Sequence, residues 1–377
     1  MLHHTKLVLA LLSILLFAGT NLYAQSAPKY SNEFLSIGVG ARAFGMSNSV
    51  IASVEDVTAG YWNPSALVKQ QDKIQLSFMH SALFSGIANY DYLGISTKVN
   101  DNAALSFSMI RFGVDGIPNT LDLVRNGQID YNRVTEFSAV DYAFIISYAQ
   151  KAIKNGLSIG GSAKIINRKA GEFTTAWGFG IDASARYETQ NKWIFAAVAR
   201  DVTTTFNAWK YNFTDAEIQT FQSTGNEVPV NSLEFTLPKL LLGVSKKINF
   251  NDDYSLLTEL NMDLNTDGRR NTLLQTNLVS GDPHLGVEAG YQDIIFLRGG
   301  VGNVQQVKTE VILSTEIIDG KTITNYKSEW TFMPNIGVGL KLKNLSIDYA
   351  LTDVSNQSAA LLSHVFSIRA AVNAPKK

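Results

Sequence analysis

From about residue 73 to residue 373 the chain repeats one pattern: about ten residues of alternating apolar and polar or small side chains, then a turn. Four stretches show it plainly. Phe332, Pro334, Ile336, Val338, Leu340 and Leu342 alternate with Met333, Asn335, Gly337, Gly339 and Lys341. Leu362 to Val372, Tyr254 to Leu264 and Trp177 to Tyr187 follow the same rule. A period of two places one set of side chains on each face of a β-strand. Such segments begin near Ile74, Asn89, Ala103, Ala139, Gly156, Thr175, Lys192, Pro238, Tyr254, Pro283, Ile294, Phe332, Leu345 and Leu361. That makes about fourteen strands, an even number, as a closed barrel in a membrane requires.

The connections carry a second signal. Short polar turns (100–102, 154–155, 189–191, 249–253, 292–293 and 343–344) alternate with mostly longer segments, about 113–138, 202–237, 265–282 and 304–331. Loop lengths sorted by rim are a mark of an outer-membrane barrel. A soluble sandwich has no reason to sort them. The fold class expected is therefore all-β, a transmembrane antiparallel β-barrel of about 14 strands.

A barrel in lipid turns its apolar parity outward and its polar parity to the lumen. The polar parity here holds Lys164, Arg168, Asp182, Arg186, Glu259, Asp263, Glu288, Arg298, Asp348 and Arg369. Both signs occur in similar number, which predicts a lumen of ion pairs and hydrogen bonds. A selective pore would favour a ring of one sign.

Composition agrees with this reading. The 377 residues are 45% hydrophobic and only 17% charged, below the roughly 25% of soluble domains. Yet the only long apolar run is Leu7 to Ala18. It follows Lys6 and precedes Leu22-Tyr23-Ala24, which reads as a signal peptide over 1–24, cut after Ala24. Net charge is −1, so no basic excess points to nucleic acid. The absence of Cys excludes disulfides, thiol nucleophiles and zinc–thiolate sites.

Residues 25–72 depart from the strand pattern and are expected to form an N-terminal hatch inside the barrel of 73–373, with 374–377 as a short tail. They read FLSIGVGARAFGMSNSVIASVEDVTAGYWNPSAL from Phe34 to Leu67. The motif joins Arg42, Gly45 and Met46 to Asp56 and then Tyr61, Trp62, Asn63 and Pro64. It resembles the N-terminal signature of the PorV/PorQ family, Bacteroidetes outer-membrane proteins linked to type IX secretion. The Asn63-Pro64-Ser65 step leading to Leu67 is similar to the FadL family of hydrophobic-compound transporters. Both resemblances imply a barrel of about fourteen strands with a hatch in the lumen. The first implies a non-enzymatic carrier or accessory that binds translocon components and secreted cargo domains through its extracellular loops. The second implies uptake of a hydrophobic small molecule. The chain departs from both in its last residues, Asn373 to Lys377, which lack a terminal aromatic.

Within 202–237, Phe206, Trp209, Tyr211, Phe213 and Phe221 are candidate partner contacts, and Asp215 to Ser223 is expected to be a short helix with Ile218 and Phe221 on one face. Gly38-Val-Gly-Ala-Arg-Ala43 imitates a dinucleotide fingerprint, but no strand–helix–strand unit surrounds it. The pairs Gly178/Gly180 and Gly337/Gly339 fall on the inward parity and make room for lumen contents. Asp263, Asn265, Asp267 and Gly268 match the first half of a calcium loop, yet Leu274 stands where its final Glu belongs, so an Asx-rich turn is the better reading. His80, His284 and His364 lie on different strands, with no H-E-x-x-H or G-x-S-x-G motif, so no catalytic residue and no cofactor are expected.

Overall fold

The computed structural model describes residues 31–125, 128–318, 321–354 and 362–372. The expected signal peptide (1–24), the first hatch residues (25–30) and the expected tail (374–377) lie outside them. Fourteen antiparallel strands close into one barrel. They are β1 (Ile74–Leu83), β2 (Ala88–Asn100), β3 (Ala103–Asn119), β4 (Thr135–Lys151), β5 (Leu157–Ala170) and β6 (Thr174–Glu188). Strand β7 comes in two pieces, Trp193–Arg200 and Thr205–Tyr211, and so does β8, Ser232–Thr236 and Lys239–Asn249. The circuit ends with β9 (Tyr254–Asn265), β10 (Ser280–Tyr291), β11 (Ile295–Ile318), β12 (Lys321–Leu342), β13 (Leu345–Thr352) and β14 (Ser363–Val372). Pairing of β1 with β14, from Ile74↔Val372 to Ala82↔His364, closes the wall.

Alternation along the strands becomes two surfaces. Phe78, Leu93, Ile146, Ile165, Trp177, Phe195, Leu260, Val338, Phe366 and Ile368 all stand exposed on the outside. Their neighbours on the other parity, such as Ser77, Ser106, Ser147, Lys164, Asp182, Arg186 and Glu259, are buried inside. Apolar side chains that face outward while charged ones are buried invert a soluble protein and suit a lipid surround.

The short turns share one rim, the periplasmic one by the general rule for such barrels, and the longer connections share the other. The stretch 304–331, expected as loop, is largely strand. Strands β11 and β12 have 24 and 22 residues, over twice the about 9–11 that cross a bilayer. Their outer halves pair with each other, through register shifts at Gly302/Gln305 and Lys308/Ile312. Most other strand starts fall within a few residues of those read from the sequence.

The break in β7 spans 201–204, where Asp201 and Thr204 have φ of 56° and 60°. Below it, β7 pairs with β8 through Lys239↔Arg200 to Lys246↔Trp193. Above it, β7 resumes against β6 at Phe206↔Phe179. The matching break in β8 falls at Leu237–Pro238, where proline has no N–H for a ladder.

Candidate functional site

Residues 31–72 fill the lumen as a folded hatch. It holds α1 (Ala41–Gly45), α2 (Ala59–Trp62) and 3-10 turns at Glu33–Leu35 and Pro64–Lys69. The aromatic and Asn-Pro part of its motif staples the segment to itself. Tyr61 Oη donates to Leu35 O at 2.7 Å and Trp62 Nε1 to Val39 O at 2.9 Å. Asn63 Nδ2 donates to Ile51 O at 2.7 Å, and its Oδ1 accepts from Ser65 Oγ at 2.6 Å. Pro64 opens the following turn, where its missing N–H costs nothing. These polar groups are spent on holding irregular backbone in a dry interior.

The Arg42-to-Asp56 part of the motif reaches the wall. Arg42 Nε donates to Glu288 at 2.9 Å, and Arg298 joins the same carboxylate at 2.6 Å while also holding Asp348 at 2.7 Å. Burial works against the Arg42 charge, but Glu288, helped by Glu259 and Asp348, more than offsets it and holds the guanidinium pKa above its usual value. Met46 is fully buried, and Gly45 lies against Gly337, where an added Cβ would sit 3.0 Å from the facing Cα. Asp56 accepts from Thr58 N and Oγ1 at 2.9 and 2.6 Å and pairs with Arg369.

Other wall residues complete the seal. Glu259 accepts from Ala52 N and Ser53 N at 2.7 and 2.9 Å. Arg186 donates to Ala52 O and pairs with Glu55 and Glu188. Arg168 pairs with Asp141 and Glu234. Lys164 binds Asp182 at 2.8 Å and Asp201 at 2.6 Å, tying β5 and β6 to the break in β7. The polar lumen residues therefore pair with the hatch as well as with one another. Of the inward glycines, Gly337 makes room for the hatch, whereas Gly178 and Gly180 face Asn207 and Thr205 of the neighbouring strand.

Among the described residues, two polar cavities of more than 200 Å³ flank the hatch, one on each side. The periplasmic one, about 250 Å³, is lined by Arg42, Asp56, Glu288, Arg298, Asp348 and Arg369 among others. The extracellular one, about 300 Å³, has Trp62 and Ile51 in its lining with Glu33, Lys239, Arg270 and His284. The calcium-like turn borders it. Both oxygens of Asp267 are engaged by Arg270, at 2.9 and 2.6 Å, and Asp263 faces Asp282 across the strands. Among the described residues no group of three or more His, Asp or Glu is arranged to hold a metal ion.

The aromatic candidates divide. The helix α3 spans Asp215–Ser223, as expected, and begins with a Thr214/Glu217 capping box. Phe206 is on the outward parity and 42% exposed. Trp209 and Tyr211 continue the inward parity of Thr205 and Asn207 on strand rather than loop, and Phe213 follows two residues past the strand end. Their rings form a ladder: Trp209–Tyr211 at 6.5 Å, Tyr211–Phe213 at 5.9 Å, and Phe213–Phe221 at 5.1 Å. Phe173 flanks Phe213 and Phe137 flanks Phe173. At the lower end Arg168 lies over both Trp209 and hatch residue Phe34. The ladder thus runs from α3 down to the top of the hatch.

Some members of this site escaped the sequence reading. Arg200 is buried, stacks on Tyr61 and Trp62, and donates to Leu35 O and Tyr61 O. Its inward parity on β7 was a usable signal. Glu234, which accepts from Trp209 Nε1 at 2.6 Å and Ser31 Oγ at 2.6 Å, gave none.

No family model and no curated protein matches the chain. Solved structures do. The CymD monoaromatic hydrocarbon channel aligns at a TM-score of 0.53 and 13% identity, over 90% of this chain and 99% of its own. The chain shares the fold of FadL-type channels. A Pseudomonas aeruginosa FadL homologue gives 0.50 and 13%, over 89% and 98%. The Ralstonia pickettii toluene transporter TbuX gives 0.51 and 13%, over 89% and 99%. With a closed strand wall and an apolar exterior, this barrel is an outer-membrane protein.

Proposed function

We propose that the chain is a FadL-like outer-membrane transporter for hydrophobic small molecules, gated by its hatch. The ring ladder of Trp209, Tyr211, Phe213 and Phe221 carries this reading. It offers half-buried aromatic surface from α3 along the inward side of upper β7, leading to the hatch at Phe34. Flat apolar solutes gain from such rings both area burial and stacking. The named channels and transporters of the same fold support the reading. In the closed state the solute meets the hatch, so passage requires the hatch to shift.

The test is uptake of toluene or a fluorescent hydrophobe by proteoliposomes. Uptake above protein-free vesicles is expected, and Trp209→Ala with Phe213→Ala should slow it several-fold. Uptake equal to empty vesicles would sink the proposal.

A second reading is favoured by the polar seal and by the resemblance of Phe34 to Leu67. In it the barrel is an accessory or carrier for type IX secretion or surface-protein export. The segments 113–138, 202–237 and 304–331 would bind translocon and cargo. Affinity purification from native outer membranes tests it: co-purified translocon or cargo supports this role, and its absence counts against it.

A further inference from the structure

A groove of about 560 Å³ lies over strands β5 to β9, lined mostly by residues of the outward parity. Its size is within the roughly 300–1,000 Å³ of small-molecule sites. Register explains the hollow. One cross-strand row, nearest the periplasmic rim, reads Leu157, Tyr187, Phe195, Val244 and Leu260 across β5 to β9. The next row reads Ile159, Ala185, Ala197, Leu242 and Met262. Alanines in the middle of the second row leave a dent between bulky neighbours. Every one of these side chains is apolar or aromatic and on the lipid-facing parity.

The periplasmic end of the groove is basic. Lys154, in the turn before β5, lies 4.9 Å from the ring centre of Tyr187. Lys246 of β8 lies 4.8 Å from that of Trp193, its register partner. Two strand spacings, about 10 Å, separate the β6 and β8 positions. Lys192, nearby, is already paired with Glu188, and Glu188 is held by Lys69 and Arg186. Lys154 and Lys246 have no carboxylate at ion-pair distance among the described residues. Each rests on an aromatic ring at the level where headgroups begin.

We propose that this groove is a binding site for one phospholipid of the periplasmic leaflet. An acyl chain fills the dent over Ala185 and Ala197. The phosphate sits between Lys154 and Lys246, which act as point charges. An apolar slot opening into lipid takes a lipid chain, and two unpaired ammonium groups at its mouth select an anionic head.

Native mass spectrometry of the delipidated full chain, titrated with dioleoyl phosphatidylglycerol, tests the site. One lipid should stay bound at activation energies that strip the rest. Ala185→Phe with Ala197→Phe, which fills the groove from the lipid side, should abolish that retained lipid. Lys154→Gln with Lys246→Gln should weaken retention at least fivefold. Heat-modifiable gel mobility reports that each variant is folded, and Ile347→Phe on β13 serves as a control that keeps the lipid. Equal retention by wild type and the double Phe variant would overturn the proposal. So would equal competition by a detergent with a similar chain and an uncharged sugar head.

Discussion

Glu259 of the barrel wall accepts the backbone N–H of Ala52 at 2.7 Å, and that of Ser53 next to it at 2.9 Å. The carboxylate is fully buried. Two consecutive hatch amides thus depend on one wall side chain. Glu259→Leu leaves both without an acceptor, at a cost of about 1–3 kcal/mol each. Urea unfolding in lipid vesicles should show the loss, and protease should cut the hatch before the barrel. An unchanged midpoint with an intact hatch would refute this account.

Lys164 bridges Asp182 and Asp201. Removing one partner of a buried ionic group costs about 3–5 kcal/mol, because the charges left behind stay dry. Lys164→Met should therefore be strongly destabilising. Adding Asp182→Asn and Asp201→Asn should recover most of the loss in the same unfolding assay. If the triple variant is no better than the single one, the ion triad is not what holds the break in β7.

Depth in the bilayer should grade the cost of charge on the outer face. Ile368 lies mid-strand in β14, opposite Phe78 of β1. Ile368→Arg should cost about 2–4 kcal/mol. Leu340 is two residues from the end of β12, beside the periplasmic turn, so Leu340→Arg should cost about 0–1 kcal/mol. Equal costs in vesicles would contradict the bilayer placement.

Gly160 of β5 faces the hatch with no room for a side chain. A Cβ there would lie 2.7 Å from Pro64 C and 2.8 Å from Ser65 Cα, both backbone atoms. Gly160→Val should lift the Pro64–Lys69 turn off the wall, at an overpacking cost of about 1–3 kcal/mol. In planar bilayers the variant should pass ions where wild type does not. A silent variant that still inserts would show that the turn does not seal the lumen.

Much of this barrel was written in its period of two. Inside and outside follow from parity, so the burial of Lys164, Arg186 and Glu259 could be read before any coordinates. Helix α3 was legible because Thr214 and Glu217 cap it locally. What parity cannot supply is a partner. Glu288 meets Arg42 across 246 residues and Arg369 meets Asp56 across 313, and nothing local encodes either pair. The break in β7 was hidden because Arg200 and Asp201 look like the end of a strand, whereas the strand resumes at Thr205. That resumption moved Trp209 and Tyr211 from a loop onto the inward face of a strand, with Phe213 just past its end. The ribbon of β11 and β12 was missed because its polar alternation is that of a loop in water as much as of a strand above a membrane.

The seam between β1 and β14 has a consequence for assembly. Hatch residue Gly40 donates to Met79 of β1, while its neighbour Ala41 donates to Ser367 of β14 at 2.6 Å. A segment that precedes the barrel in the chain therefore bridges the barrel's last strand to its first. A sheet that closes around this hatch meets, on both sides of its seam, hydrogen-bond donors already set in one short turn of chain. A chain without residues 31–72 would have to find its closing register from the strand edges alone.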